Sequence, residues 1–416
     1  MKSNLDNLMK ARNIDVLLIL GGAQHNPPMY YLTGGGNITY AILIKKSHAA
    51  PILLCSEMER DEAAKSGLTF KSIDDYPWKE LLKEANGDYA LMAGMRMQRI
   101  FSDLGIKQGR VGVYGHTDLS AGYSTLTHLQ KLMPDLTIVG ESLNDSIFLR
   151  AMETKDDGEV SRIRKVGKIT TEVVGKVADY LTSCNVREDE ILLTVDGSPL
   201  TVGNIKAKIN LWLAERGAEN PDGTIFSIGH DTGVPHSSGN PDDVICLGRT
   251  IIFDIFPCEA GGGYFYDFTR TWSLGYATTE TRKLYQQVYE VFDQVKKNLK
   301  VNEPFKNSQV LACELFEAQG HLSLLNSENP LKGYVHSLGH GLGLNVHERP
   351  WSSLIATDDN LLSPGVVVTI EPGLYYPDQN MGARIEDTLW IRPDGEIEIL
   401  AEYPYEFILP MKKWHK

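Results

Sequence analysis

Apolar residues in the first third of the chain gather into short runs rather than stripes. DVLLIL (15–20), AILIKK (41–46), APILLC (50–55) and RVGVYG (110–115) are each bounded by glycine, proline or polar clusters, the pattern of buried strands. Helical spacings such as Leu5, Leu8 and Met9 lie between them, and the alternation predicts an α/β unit with a mostly buried sheet over residues 1–148. The pattern then changes. Thr154 and Asp157 have the spacing of a capping box, and Val160, Ile163, Val166, Ile169, Val173, Val177 and Leu181 follow at helical intervals, so a long amphipathic helix opens a second domain over 149–416. A helical set from Ile205 to Leu213 leads into the strand-like runs TIIFDIF (250–256) and YFYDFTRTW (264–272). After Gly275 the order recurs, with helices around Leu284, Val288, Phe292 and Val295 and from Val310 to Phe316, then strand-like GVVVTIEPG (365–373) and ARIEDTLWI (383–391). Helices first and strands after, twice over, predict an internal duplication within an α+β domain.

The chain has 416 residues, 42% of them hydrophobic, enough for two or three packed cores. A formal charge of −13 argues against a nucleic-acid binder, which needs a basic face to replace phosphate counterions. The five cysteines form no close pair and no CxxC, so neither a disulfide framework nor a zinc ribbon is expected. No run approaches the roughly 20 apolar residues of a membrane span. MKSNLDNLMKARNID lacks the apolar segment of a secretory signal, and a cytoplasmic protein is expected.

Candidate chemistry enters where strands should be apolar and are not. Asp254 lies inside IIFDIF, Asp267 inside YFYDFTRTW, Glu371 closes VVVTIE and Glu386 sits in RIEDTLWI. A buried carboxylate neutralises itself or finds a cation, so the bland expectation is ion pairs with Arg270, Arg384 or a lysine. Side chains two apart on a strand share a face, which sets Asp267 with Thr269 and Arg384 with Glu386. Four carboxylates and one imidazole outnumber the arginines and suit two divalent cations, and an oxygen-rich set with one nitrogen favours manganese or cobalt over a thiolate-type zinc site. LGHGLGLNVHE (338–348) places glycines at 339, 341 and 343 between His340 and His347. Each glycine would cost a helix about 1 kcal/mol, so this is a stretch where backbone approaches something closely. HERPW is not HExxH, which sets aside a zincin.

Five ordered pieces resemble the signature blocks of the pita-bread metallopeptidases, the clan of methionine aminopeptidase, aminopeptidase P and prolidase. They are GHDTGVPH (229–236), FDIFPCEAGGGYFYDFTRT (253–271), GHGLGLNVHE (339–348), TIEPG (369–373) and GARIEDT (382–388). MYYLTGG (29–35) and LRAMETKDDGEVSRIRKV (149–166) resemble the creatinase-type amino-terminal domain of the prolidase and aminopeptidase P branch. The resemblance covers nearly the whole chain and implies a creatinase-like domain followed by a pita-bread catalytic domain. Carried over residue by residue, it implies Asp254, Asp267, His340, Glu371 and Glu386 as ligands of two divalent metal ions, with Asp267 and Glu386 bridging. Mn²⁺ comes first among these ions, and Co²⁺ or Zn²⁺ are alternatives. His236 and His347 fall on substrate-facing imidazoles, and Glu371 on the proton relay. Arg384 and Thr269 would hold carboxylates in orientation, and Arg384 would also line the substrate site.

The implied activity is hydrolysis of the Xaa-Pro bond of a small peptide by a hydroxide held between the metals, in a homodimer with no membrane or nucleic-acid partner. Alternatives are an aminopeptidase P acting on longer Xaa-Pro-Yaa peptides, a creatinase-like C–N hydrolase, and a non-catalytic member of the fold. The last two would lack ligands that this chain keeps, and the extra amino-terminal domain disfavours a methionine aminopeptidase. Two departures stand out. The segment containing PCEAGGG is longer than in many relatives, which predicts a reshaped pocket rim. Prolidases often carry an arginine just past the HE pair to bind the substrate carboxylate; Trp351 stands there, and Arg349 is the nearest candidate.

Overall fold

The computed structural model describes residues 4–328 and 330–414, in two units. One runs to Met152 and also takes in Gly261–Gly263; the other comprises Glu153–Ala260 and the chain from Tyr264 onward. The division falls past the expected 148 because the helix Ile147–Met152 packs into the first unit. Phe148 meets the rings of Tyr31 and Tyr114, and the Tyr31 hydroxyl donates to the Ala151 carbonyl at 3.1 Å.

The first unit is built on a six-stranded mixed sheet in the order Thr69–Ser72, Ile52–Cys55, Ala41–Lys46, Val16–Gly21, Gly109–Gly115, Leu136–Val139. The four inner strands are the four apolar runs of the sequence. The two edge strands carry polar residues and were not legible as runs. Val16, Leu18 and Leu20 share a face, as strand alternation requires, and pack with Met97, Ile100 and Phe101 of the helix Tyr89–Asp103 and with Leu129 of Leu119–Leu132.

The second unit opens with the helix Asp157–Ser183, whose capping box is Asp156 with Glu159 rather than Thr154 with Asp157. Thr154 is still extended there, bridged to Val366, so the helix starts later than expected. After the helix Val202–Ala214, Thr224–Ile228, Thr250–Ile255 and Phe268–Leu274 form successive antiparallel neighbours, with Ile408–Leu409 at the edge. The helices Thr279–Lys297 and Lys306–Ala318 then precede a five-stranded sheet in the order Glu348–Trp351, His340–Gly341, Val367–Ile370, Asp387–Ile391, Ile397–Ile399. Val288, Phe292, Ala312 and Phe316 bury their apolar stripe against Val368, Ile370, Leu389 and Ile391. The repeated order of helices and strands is therefore present.

The run ARIEDTLWI is not one strand. Met381–Arg384 pairs with Gly373–Tyr376, and the chain then changes sheets before Asp387–Ile391. Glu386 lies in the crossover, bridged to Thr269 of the other sheet through its backbone N–H at 3.1 Å. The four-stranded and five-stranded sheets of the unit meet at that bridge. All five cysteines are buried and free. No helix among the described residues is long and apolar enough to cross a membrane.

Candidate metal centre

The bridge between the sheets gathers the acids. Asp254 comes from the inner strand Thr250–Ile255 of the four-stranded sheet, Asp267 from the residue before Phe268–Leu274, Glu371 from the residue after Val367–Ile370, and Glu386 from the crossover. His340 sits on the short strand beside Glu348–Trp351, where a bulge follows it. The glycines around it make the approach feasible: a Cβ at Gly339 would lie 2.0 Å from the Thr369 carbonyl oxygen, and one at Gly341 would lie 1.9 Å from that of Arg349. Neither position needs a positive φ; both need the absence of a side chain.

All five residues line one cavity of about 930 Å³, together with His236, His347 and Arg384. One ligand atom each from Asp267, His340 and Glu386 lies within 4.8 Å of the others. His340 Nε2 is 3.4 Å from Glu371 Oε1 and 3.7 Å from Asp267 Oδ2. Its Nδ1 faces the Gly341 carbonyl at 2.9 Å. A carbonyl only accepts, so Nδ1 carries the proton and Nε2 presents a lone pair to the carboxylates. Burial and the neighbouring His347 push the His340 pKa down to about 3, which keeps the ring neutral. An imidazole lone pair facing carboxyl groups at this range leaves a place for a proton or a metal cation between them.

The carboxylates tell the same story. Burial, and then the neighbouring acids, raise Asp267 and Glu386 well above the ordinary carboxylate range, and burial brings Glu371 to about 8. Asp254 Oδ1 and Glu386 Oε1 are buried without a hydrogen-bond partner among the described residues. Two orphaned oxygens, a neutral imidazole lone pair and crowded acids fit divalent ions bound by oxygen with one nitrogen.

Paired arginines account for only one of these acids. Arg384 Nη2 contacts Asp254 Oδ2 at 2.5 Å, while Nη1 donates to the Tyr375 hydroxyl at 2.7 Å and the Pro235 carbonyl at 3.2 Å. Arg270 points to the other side of its strand and pairs with Asp387 at 2.9 Å, because consecutive strand residues face opposite ways. Thr269 Oγ1 donates to Glu386 Oε2 at 2.8 Å, so it fixes one oxygen and leaves the other free.

His236 and His347 are open to the cavity, and the His347 ring centre is 4.3 Å from that of His340. Partial removal from water, then His236, lowers the His347 pKa. Arg349 does not reach the cavity. Its guanidinium is 2% exposed and is held by Glu153 Oε2 at 3.2 Å and by the Asp359 carbonyl at 3.0 Å, which corrects the expectation that it receives a substrate carboxylate. Trp351 lines the cavity in the region where Arg349 was expected. No residue of 257–263 lines the cavity, so the long PCEAGGG segment does not form its rim. Among the lining residues that sequence reasoning missed is a third imidazole near the acids: His336, four residues before His340, accepts from Tyr375 at 2.7 Å and donates from Nδ1 to the Ser337 carbonyl at 2.8 Å. Arg384, Tyr375 and His336 thus form a continuous donor chain along one wall.

Comparison with known proteins matches residues 161–393 to the model described as metallopeptidase family M24 and residues 2–143 to the creatinase/prolidase N-terminal domain. The chain belongs to metallopeptidase family M24. The chain is 25% identical to the Xaa-Pro dipeptidase of Pyrococcus horikoshii over 93% of each chain. It is 30% identical to that of Pyrococcus furiosus over 59% of this chain and 62% of that one, less than two thirds of its length. An X-Pro aminopeptidase structure from Thermotoga maritima superposes with a TM-score of 0.72 at 22% identity, covering 95% of this chain and 97% of that one; that likeness concerns the fold. The family is described as one of metallopeptidases, and the buried Asp267, His340 and Glu386 group could hold a metal.

Proposed function

We propose that this M24 peptidase hydrolyses the peptide bond preceding proline, with Asp254, Asp267, His340, Glu371 and Glu386 holding two divalent ions, manganese first. The observation that carries the reading is the convergence of these five side chains on one cavity, with the His340 lone pair facing acids that only one guanidinium partly neutralises. Bound divalent ions supply Lewis acidity and bring the pKa of water towards neutrality.

The chain's own groups do the rest. Glu371, which lines the cavity beside the His340 imidazole, takes a proton from the attacking water and returns it to the proline nitrogen as the bond breaks. That step matters for proline, whose nitrogen must be protonated to leave as an amine. His347, and His236 beside it, offer N–H groups to the oxyanion that develops on the carbonyl. Arg384 and Thr269 keep Asp254 and Glu386 turned towards the centre. The preference for proline draws on the named activities of the relatives. A preference for peptides longer than Xaa-Pro is the second reading, favoured by the withdrawal of Arg349 from the cavity.

A panel of Xaa-Pro, Xaa-Pro-Yaa and Xaa-Ala-Yaa peptides, assayed with the metal-loaded protein, tests the reading. Release of the residue before proline, at least tenfold faster than before alanine, is expected. Equal cleavage of the alanine series would contradict it.

A further inference from the structure

The cavity has an outer end that the chemistry above leaves unused. Lys206 and Asn210 stand one turn apart on the helix Val202–Ala214, and both line the cavity with Asn220, Asp222 and Thr224. Asn220 Nδ2 donates to Asn210 Oδ1 at 3.0 Å and to Thr224 Oγ1 at 2.8 Å. The first bond occupies the Asn210 oxygen, so the group Asn210 has left to offer a ligand in the cavity is its NH₂, a donor. Thr224 opens the strand in which the next residue, Ile225, registers with Asp254, so this wall runs outward from the acids.

Charge along the wall is unbalanced. Arg384, the other cationic side chain of the cavity besides the histidines, is committed to Asp254 and Tyr375. Lys206 has no ionic or hydrogen-bonding partner among the described residues, and burial alone acts on its ammonium. Asp222 acts on His347 instead. An ammonium drawn partly from water with no counter-ion is costly unless an anion arrives.

We propose that Lys206, assisted by Asn210, receives the C-terminal carboxylate of a peptide that continues past the proline. The proposal rests on the peptidase reading and narrows its substrate class. The carboxylate of an Xaa-Pro dipeptide ends about one residue, ~3.5 Å, beyond the scissile carbon. Lys206 lies on a helix packed against the strand Thr224–Ile228, whose Ile225 registers with Asp254, so its ammonium is assigned to the carboxylate of a residue that follows the proline. Side chains at i and i+4 are about 5–6 Å apart, a gap that a carboxylate bridges with one oxygen to each donor.

The experiment compares kcat and KM for an Xaa-Pro-Yaa acid and its C-terminal amide with the metal-loaded wild type, Lys206→Gln and Lys206→Glu. The expected result is a KM about tenfold lower for the acid in the wild type, with kcat alike for the two. Lys206→Gln should bring the KM of the acid up to that of the amide, and Lys206→Glu should make the amide the better substrate. Equal KM for acid and amide in the wild type, or a preference that survives Lys206→Gln, overturns the proposal. An Xaa-Ala-Yaa acid cleaved as well as the proline peptide, with the acid preference intact, overturns the proline reading and leaves Lys206 standing. Failure to cleave any peptide overturns both.

Discussion

Replacing Lys155 with methionine should cost this protein about 3–5 kcal/mol of stability. Lys155 Nζ lies 2.9 Å from Glu348 Oε2, and the two side chains are 2% and 0% exposed. At an effective dielectric near 20 their attraction is about 6 kcal/mol, most of which offsets the cost of removing both charges from water. Deleting the ammonium leaves that cost without its offset. Glu348 Oε1 also accepts from Asn345 N at 3.0 Å and Nδ2 at 3.2 Å, so the same carboxylate ties down the turn leading to His347. Gly343 leaves room for the pair, since a Cβ there would come within 2.4 Å of Glu348 Oε2. Urea unfolding followed by tryptophan fluorescence measures the loss. The double variant Lys155→Met/Glu348→Met should recover to within about 1–2 kcal/mol of the wild type, because a buried pair exchanged for apolar side chains is close to neutral. A single-variant cost under about 1 kcal/mol, or a double variant worse than the single, would refute the reasoning.

His340→Ala should lose bound metal, whereas His347→Ala should retain it and lower kcat by about 10²–10³; metal analysis beside steady-state kinetics separates the two, and exchanged phenotypes would reverse their roles. Thr269→Val removes the 2.8 Å bond to Glu386 and should weaken metal affinity by about 10–100-fold, measured by titration against a chelating indicator. Arg349→Ala should destabilise the fold in thermal melts by about 3 kcal/mol or more, with the KM of an Xaa-Pro dipeptide changed less than twofold. A selective KM rise there would restore Arg349 to the substrate.

Much of the site was legible because its chemistry contradicts its setting. Acids in apolar strands and glycines between histidines each break a local rule, and the structure brings those residues to one cavity. What was not legible depended on direction. Strand alternation set Arg384 with Glu386, and both do line the cavity, but they do so across a change of sheets that no sequence period reports. Arg349 follows a bulged pairing that turns it towards Glu153, and no spacing in the sequence reports a bulge. Arg270 could have been placed from alternation alone, since Thr269 faces Glu386 and its neighbour must face away. His336 carried a weak signal, one helical turn before His340 in a segment that is not helical. The helix start at Asp156 moved because Thr154 was engaged in a sheet bridge, a long-range pairing that outweighed a local capping pattern.

The central claim is that these five side chains build a two-ion centre on which hydrolysis depends. The most direct measurement is the metal content of chelator-stripped, Mn²⁺-reloaded protein by mass spectrometry, with Xaa-Pro hydrolysis measured on the same samples, for the wild type, Asp267→Asn and Glu386→Gln. The account predicts two ions per wild-type chain, activity that returns with them, and loss of both in each variant while far-ultraviolet circular dichroism stays unchanged. Full activity in stripped protein, or either variant keeping two ions and wild-type activity, would contradict it.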